Sequence, residues 1–301
     1  MQIKKILRKI LPRKIFDSLR DSLYPKKIDV LDGQLNSLFL THYQGLIAPH
    51  LNQRLAFKNA EFKFYSKHGT DGILNYIFSK IGTTNCTFVE MGVETGRECN
   101  TANLSLNFGW NGLLIDANDE WIKSARDFYK EKLGSRSQNI KTVTSFVNAE
   151  NINQTLKDNG SVGEIDLLSI DIDSNDYWVW QAIEAVNPRV VAMEYNPALG
   201  QRSLTIKYNP EHRYDPHHGH PLYFGASLAA LNKLAKKKGY ALVACDSYGQ
   251  DAFFVRNDVA DGKFVAMSPE EAYYPNPYTV AKLGSVEKQF ELIKNLDFEE
   301  V

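Results

Sequence analysis

The sequence predicts an α/β fold built on a doubly wound, mostly parallel seven-stranded sheet with a terminal antiparallel strand. Three observations carry that expectation. Between residues 87 and 193, short apolar runs alternate with amphipathic segments five times, the pattern of parallel strands joined by crossover helices. Residues 240–245 and 252–255 are two further apolar runs, separated by a short polar stretch that lets them pair as antiparallel neighbours. The first run, Phe88-Val89-Glu90-Met91, enters the loop Gly92-Val93-Glu94-Thr95-Gly96, whose glycines let the backbone bend and approach a ligand before the next helix.

Composition sets the bounds. A chain of 301 residues, 43% hydrophobic and 24% charged, is an ordinary soluble globular sequence with enough length to bury a full core. Its net charge of -1 hides an asymmetry: residues 1–29 hold nine Lys or Arg against three Asp, so the remainder carries about -7. Nucleic acid is therefore not an expected partner. Cys86, Cys99 and Cys245 are few, odd in number and without metal-ligand spacing, which reads as reduced thiols and a cytoplasmic location. No apolar run approaches the ~20 residues that span a bilayer, and no small-residue cleavage site follows the N-terminal segment.

Four stretches divide the chain. Residues 1–29 form a basic amphipathic helix, with Ile3, Ile6, Leu7, Ile10 and Leu11 on one face and Pro12 as an interruption. That helix suits peripheral contact with the inner face of an anionic membrane, or equally with a second subunit. Residues 30–65 read as a helical preface, 66–258 as the main domain and 259–301 as a C-terminal extension.

Within the main domain, Asp71-Gly72 precedes a short helix that Gly82 closes, and the first strand follows at 87–91. Asn100 or Thr101 is the expected cap of the next helix, which runs to Gly109. Residues 112–116 are the second strand and end in Asp116; Asn118 starts a helix that Gly134 stops. Residues 140–147 are the third strand, with a polar helix at 151–159. The fourth strand, 165–171, leads to a helix carrying Trp180, Ile183 and Val186, which Pro188 ends. The fifth strand, 189–193, closes with Glu194-Tyr195-Asn196. Residues 197–221 read as one long loop containing His212, His217, His218 and His220. A helix at 226–238 precedes the closing strand pair, and the extension holds one more helix near 286–296.

In an open parallel sheet, ligands bind beyond the C-terminal ends of the strands. The polar residues there are Glu90, Gly92, Glu94 and Gly96 after strand one, Asp116 after strand two, Asn148 and Ala149 after strand three, Asp171 and Asp173 after strand four, and Glu194 and Asn196 after strand five. Two carboxylates in the first loop would repel a pyrophosphate and would suit an amino group or a sulfonium. S-adenosylmethionine carries both and no phosphate. Asp116, placed 20 residues beyond Gly96, is suited to accept hydrogen bonds from ribose hydroxyls. The expected cofactor-binding set is Glu90, Gly92, Glu94, Gly96, Asn100, Asp116 and Asn148.

The order of elements resembles that of class I S-adenosylmethionine-dependent methyltransferases, with their Rossmann-like fold. Within that class, residues 66–72, the Glu90 to Gly96 loop, Ser169-Ile170-Asp171-Ile172-Asp173 and Ala252-Phe253-Phe254-Val255-Arg256 resemble the FkbM-like group, associated with O-methylation in glycan and natural-product (polysaccharide) biosynthesis. Glu94 departs from the glycine many relatives have there, and Asp173-Ser174 replaces the Glu-Gly the group favours. The resemblance implies methyl transfer to a hydroxyl of a small-molecule or glycan acceptor.

Asp171, Asp173, Glu194 and Asn196 supply hard oxygen donors suited to Mg²⁺, an arrangement that also resembles metal-dependent catechol-type O-methyltransferases. The alternative is that Asp171 contacts cofactor or acceptor directly. His217 and His220, with Asp171, are candidates to take the acceptor's proton. Tyr195, Tyr208, Tyr214 and Trp178 are candidates to stack on a sugar. Two other classes remain open: a metal-dependent glycosyltransferase using Asp171-Ile172-Asp173 as a D-x-D motif, and a non-catalytic scaffold that retains the fold.

Overall fold

The computed structural model describes residues 52–215 and 219–301. The basic helix expected at residues 1–29 and His217 lie outside the described residues. The elements in chain order are α1 Gln53–Ala60, α2 Thr70–Ile81, β1 Thr87–Met91, α3 Ala102–Phe108, β2 Asn111–Asp116, α4 Asp119–Leu133, β3 Ile140–Thr144, α5 Ile152–Asp158, β4 Gly163–Ile170, α6 Asp176–Ala182 and β5 Val186–Glu194. There follow β6 Leu204–Ile206, α7 Leu228–Lys238, β7 Tyr240–Cys245, β8 Asp251–Arg256, α8 Asn257–Ala260, α9 Pro269–Ala272, α10 Pro277–Leu283, α11 Val286–Ile293 and β9 Phe298–Glu300.

The main sheet has seven strands in the order β3-β2-β1-β4-β5-β8-β7. Only β8 runs against its neighbours, β5 on one side and β7 on the other. The reversed strand is thus last of the seven in the chain but sits one place in from the edge. Alternate residues face opposite layers, as strand geometry requires. Phe88, Leu114, Leu167 and Val190 pack with α2, α3 and α4, while Val89, Leu113, Leu168 and Val191 pack with α5, α6 and α7.

The chain leaves β1 toward β2 and β3, then returns to lay β4 on the other side of β1, which makes the β1/β4 boundary the switch point. Register brings Met91 level with Ile115 and Ile170, so the loops beginning at Gly92 and Asp171 emerge side by side. A Cβ at Gly92 would stand 1.5 Å from the Asp171 carbonyl oxygen, and its φ is +81°; glycine is demanded by this neighbouring loop.

Three expectations of the sequence are corrected. The helix after strand four stops at Ala182, and both Val186 and Pro188 belong to β5. Pro188 is tolerated because it pairs only on the β4 side, opposite Ile165; pairing with β8 begins at Val190, so no partner needs the missing N–H. The third strand ends at Thr144, short of the expected Val147. The long loop after β5 contains β6, which pairs antiparallel with β9 from the extension.

Away from the site, at the N-terminal ends of the strands, the buried Asp166 carboxylate meets Arg189 Nη1 at 2.6 Å and accepts the backbone N–H groups of Thr84, Asn85 and Cys86. This clasp fixes the turn that feeds β1.

Candidate functional site

Three adjoining cavities lie at the C-terminal ends of the strands. The first is a groove of about 250 Å³ bordered by Gly92, Asp116, Trp121, Ser145, Phe146 and Asp171. Asp116 is its best-defined polar group. One carboxylate oxygen accepts the Glu94 N–H and the other the Asn118 N–H, each at 2.8 Å. A carboxylate oxygen has two acceptor positions, so these two bonds do not fill the group that borders the groove. Asn118 also caps α4 through its own side chain. Arg213 stacks over Phe146 at 4.1 Å, bringing the loop after β6 against the groove.

A second, smaller space of about 50 Å³ continues from the groove across Gly92, sharing Lys67, Glu94 and Asp171 with it and reaching Asn100, Gln250 and Asp251. The third, about 330 Å³, opens on the other side and shares Asp173 and Tyr214 with the groove. Its walls come from Glu194 and Phe224 and from Tyr278, Thr279 and Lys282 of α10. The extension therefore builds part of the site.

The two glutamates of the first loop separate. Glu90 is only 3% exposed, and its carboxylate accepts the Asn100 N–H, the Thr101 N–H and the Thr101 hydroxyl. It caps α3, the task expected of Asn100 or Thr101; Thr101 makes no side-chain cap bond. Burial raises the Glu90 pKa and the Thr101 and Asn100 hydrogen bonds draw it back. Glu94, at φ +48°, is exposed and pairs with Lys67 Nζ at 3.2 Å.

Other expected site residues fall in different places. Gly96 packs the loop on α4, where a Cβ would lie 2.9 Å from that of Ala125. The Asn100 amide donates to Ser169 Oγ at 3.2 Å and borders the small space. The side chain and backbone of Asn148 exchange hydrogen bonds with Asn151 at the start of α5, while Ser145, Phe146 and Val147 line the groove. Asn196 is fully buried; its amide donates to the carbonyls of Leu222 and Phe224, and its oxygen accepts the Ala198 N–H. Both of its amide donors are thus spent on the loop. His220 Nδ1 accepts the Leu222 N–H, and His220 borders none of the three cavities.

Asp171, Asp173 and Glu194 do come together, each offering an oxygen within 4.8 Å of the others. Glu194 Oε1 accepts the Gln250 amide at 3.3 Å, whereas its buried Oε2 has no partner. Burial first, then the neighbouring acids, pushes Asp171 and Glu194 well above the usual carboxylate range and raises Asp173. Lys67 is the cation in their field. Burial opposes its charge, but Asp171, Glu94 and Asp173 outweigh that and raise its pKa. Sequence reasoning missed Lys67, although it lies in the 66–72 segment. Asp71 holds that segment in place by accepting the N–H groups of Phe64, Tyr65 and Ser66.

Strand order and the single reversed strand define the class of fold, the Rossmann-like methyltransferase sheet. No protein-family profile and no curated protein matches the sequence. Among solved structures, the chain is similar to magnesium protoporphyrin IX methyltransferase (ChlM) from Synechocystis PCC 6803 with bound SAM, at 10% identity over 62% of this chain and 77% of that one, with a TM-score of 0.40. It is similar to the methyltransferase domain of bacterial CtHen1-C at 15% identity, covering 62% and 96% of the two chains, with a TM-score of 0.42. The glycopeptide N-methyltransferase MtfA complexed with S-adenosyl-L-homocysteine gives 12% identity, 71% and 97% coverage and a TM-score of 0.39.

Proposed function

We propose that the chain is an S-adenosylmethionine-dependent O-methyltransferase of the FkbM-like group, acting on a hydroxyl of a sugar, a glycan or a related small molecule. One observation carries the reading: a groove with a carboxylate suited to ribose and a separate chamber meet at the acids that end β4 and β5. The residues fit the cofactor. Asp116 borders the groove with a carboxylate suited to ribose hydroxyls, Trp121 and Phe146 offer apolar surface beside it, and the small space across Gly92 presents both signs of charge, Lys67 against Glu94 and Asp251, to an amino-acid end.

When bound, the cofactor supplies an electrophilic methyl group on a sulfonium. The chain must hold an acceptor oxygen ~3 Å from that carbon and relieve it of its proton. The raised pKa values of Asp171, Asp173 and Glu194 make carboxylates there better bases than exposed ones. Tyr214, bordering both groove and chamber, would flank the acceptor ring, and the polar and aromatic walls of the chamber suit a hydroxylated ring.

Calorimetric titration with S-adenosylmethionine is expected to give saturable binding that Asp116→Ala weakens on the order of a hundredfold, the loss of two charge-assisted hydrogen bonds. A folded sample that binds none of it would contradict the reading. Protection against heating by a UDP-sugar, without protection by S-adenosylmethionine, would favour the D-x-D glycosyltransferase instead.

A further inference from the structure

We propose that Asp171, Asp173 and Glu194 form a binding site for one hard divalent cation, Mg²⁺, Mn²⁺ or Ca²⁺, with Lys67 as the counter-charge that the ion replaces. Such a site would bind its ion whether or not the chain transfers methyl groups.

Three carboxylates from the ends of two adjacent strands place an oxygen each within 4.8 Å of one another. Oxygens bound to a common ion at 2.0–2.6 Å stand at most about twice that distance apart, so the spacing suits one ion after small side-chain rotations. The second observation is Glu194 Oε2. Its residue belongs to the cluster and is 7% exposed, Gln250 holds the other oxygen, and Oε2 is buried without a hydrogen bond. A buried carboxylate oxygen left unpaired is strongly unfavourable, and an ion at the cluster gives it a partner. Lys67 does not fill that need, because its Nζ pairs with the outlying Glu94.

The ligand set differs from the one expected from sequence. Asn196, the amide anticipated as a ligand, is locked into the loop after β5 by three hydrogen bonds. Asp173, expected in the set with Asp171 and Glu194, joins them in the cluster on a backbone turn at φ +53°. Lys67 places one positive charge among Glu94, Asp171 and Asp173, so an incoming ion competes with it.

Titration of the full-length chain with Mn²⁺, followed by the loss of the free-ion electron paramagnetic resonance signal, tests this. The expected result is one saturable site from which Mg²⁺ or Ca²⁺ displaces Mn²⁺. Asp171→Asn and Glu194→Gln should each weaken it on the order of tenfold or more, since affinity follows ligand charge. Asp173→Asn, at a partly exposed position like Asp171, provides a third variant should the others fold poorly, as judged by circular dichroism. Lys67→Met should tighten binding. No saturable site on the wild-type chain, or unchanged affinity in Asp173→Asn and in the folded members of the other pair, would overturn the site. Unchanged affinity in Lys67→Met would overturn the role of Lys67.

Discussion

Glu90 and Glu94 stand four residues apart in one loop, and their environments give them opposite tasks. Both look like ligand-facing acids in the sequence, but Glu90 turns inward to cap α3 and only Glu94 faces outward. Local spacing cannot tell them apart, because the difference lies in where α3 begins relative to β1. Asp116 is expected at the strand end and does border the groove, where it also holds the Glu94 and Asn118 N–H groups. Asn148 and Asn196 were read as ligands for their position, yet each satisfies backbone groups of its own loop, a local use Asn often serves. Asp176 yields a test at this scale. Burial lifts it from 3.8 to about 6, against the hydrogen bonds it accepts from the Ile172 and Ser174 N–H groups. A carboxyl whose folded pKa exceeds its unfolded value favours the native state at low pH, and that share of stability is lost as pH rises from about 4 through about 6. Melting temperatures of Asp176→Asn relative to wild type should therefore improve as pH rises across this window, whatever constant offset the lost acceptor introduces.

At the scale of elements, the parallel strands were legible because each is a short apolar run closed by polar or glycine residues. Errors came where tertiary pairing overrides local preference. Pro188 reads as a helix terminator, but it sits where β5 is paired on one side only. Phe146 and Val147 extend the apolar run of β3 and instead line the groove. The turn before β1 depends on the Asp166–Arg189 clasp, which no local pattern reveals because its partners are distant in sequence. Arg189→Met leaves the Asp166 carboxylate buried without its cation and should lower unfolding free energy by about 3–5 kcal/mol. Chemical denaturation would measure that loss. Because the clasp lies at the opposite ends of the strands from the groove, S-adenosylmethionine affinity at low temperature should stay within about twofold of wild type, as expected for distant sites.

For the whole molecule, the doubly wound sheet and its reversed strand were legible from the order of elements, and so was the end of the sheet that carries the site. The role of the C-terminal extension was not. Its short helices and β9 have little periodicity of their own, and only their return to β6 and to the β5 end places α10 over the acids. Among the described residues, no helix is long and apolar enough to cross a membrane. Since α10 walls the chamber and leaves the groove untouched, Tyr278→Ala should raise KM for an acceptor several-fold, on the order of what removing one stacking ring costs, without moving cofactor affinity. Steady-state kinetics beside calorimetry would separate the two effects.

A crystal structure of the chain grown with S-adenosylhomocysteine would test the placement of the cofactor directly. The expected result is the ribose hydroxyls on Asp116, the amino-acid end across Gly92 toward Lys67, and the sulfur facing the Asp171, Asp173 and Glu194 cluster where groove and chamber meet. A ligand bound elsewhere, or seated with its sulfur turned away from those acids, would contradict it.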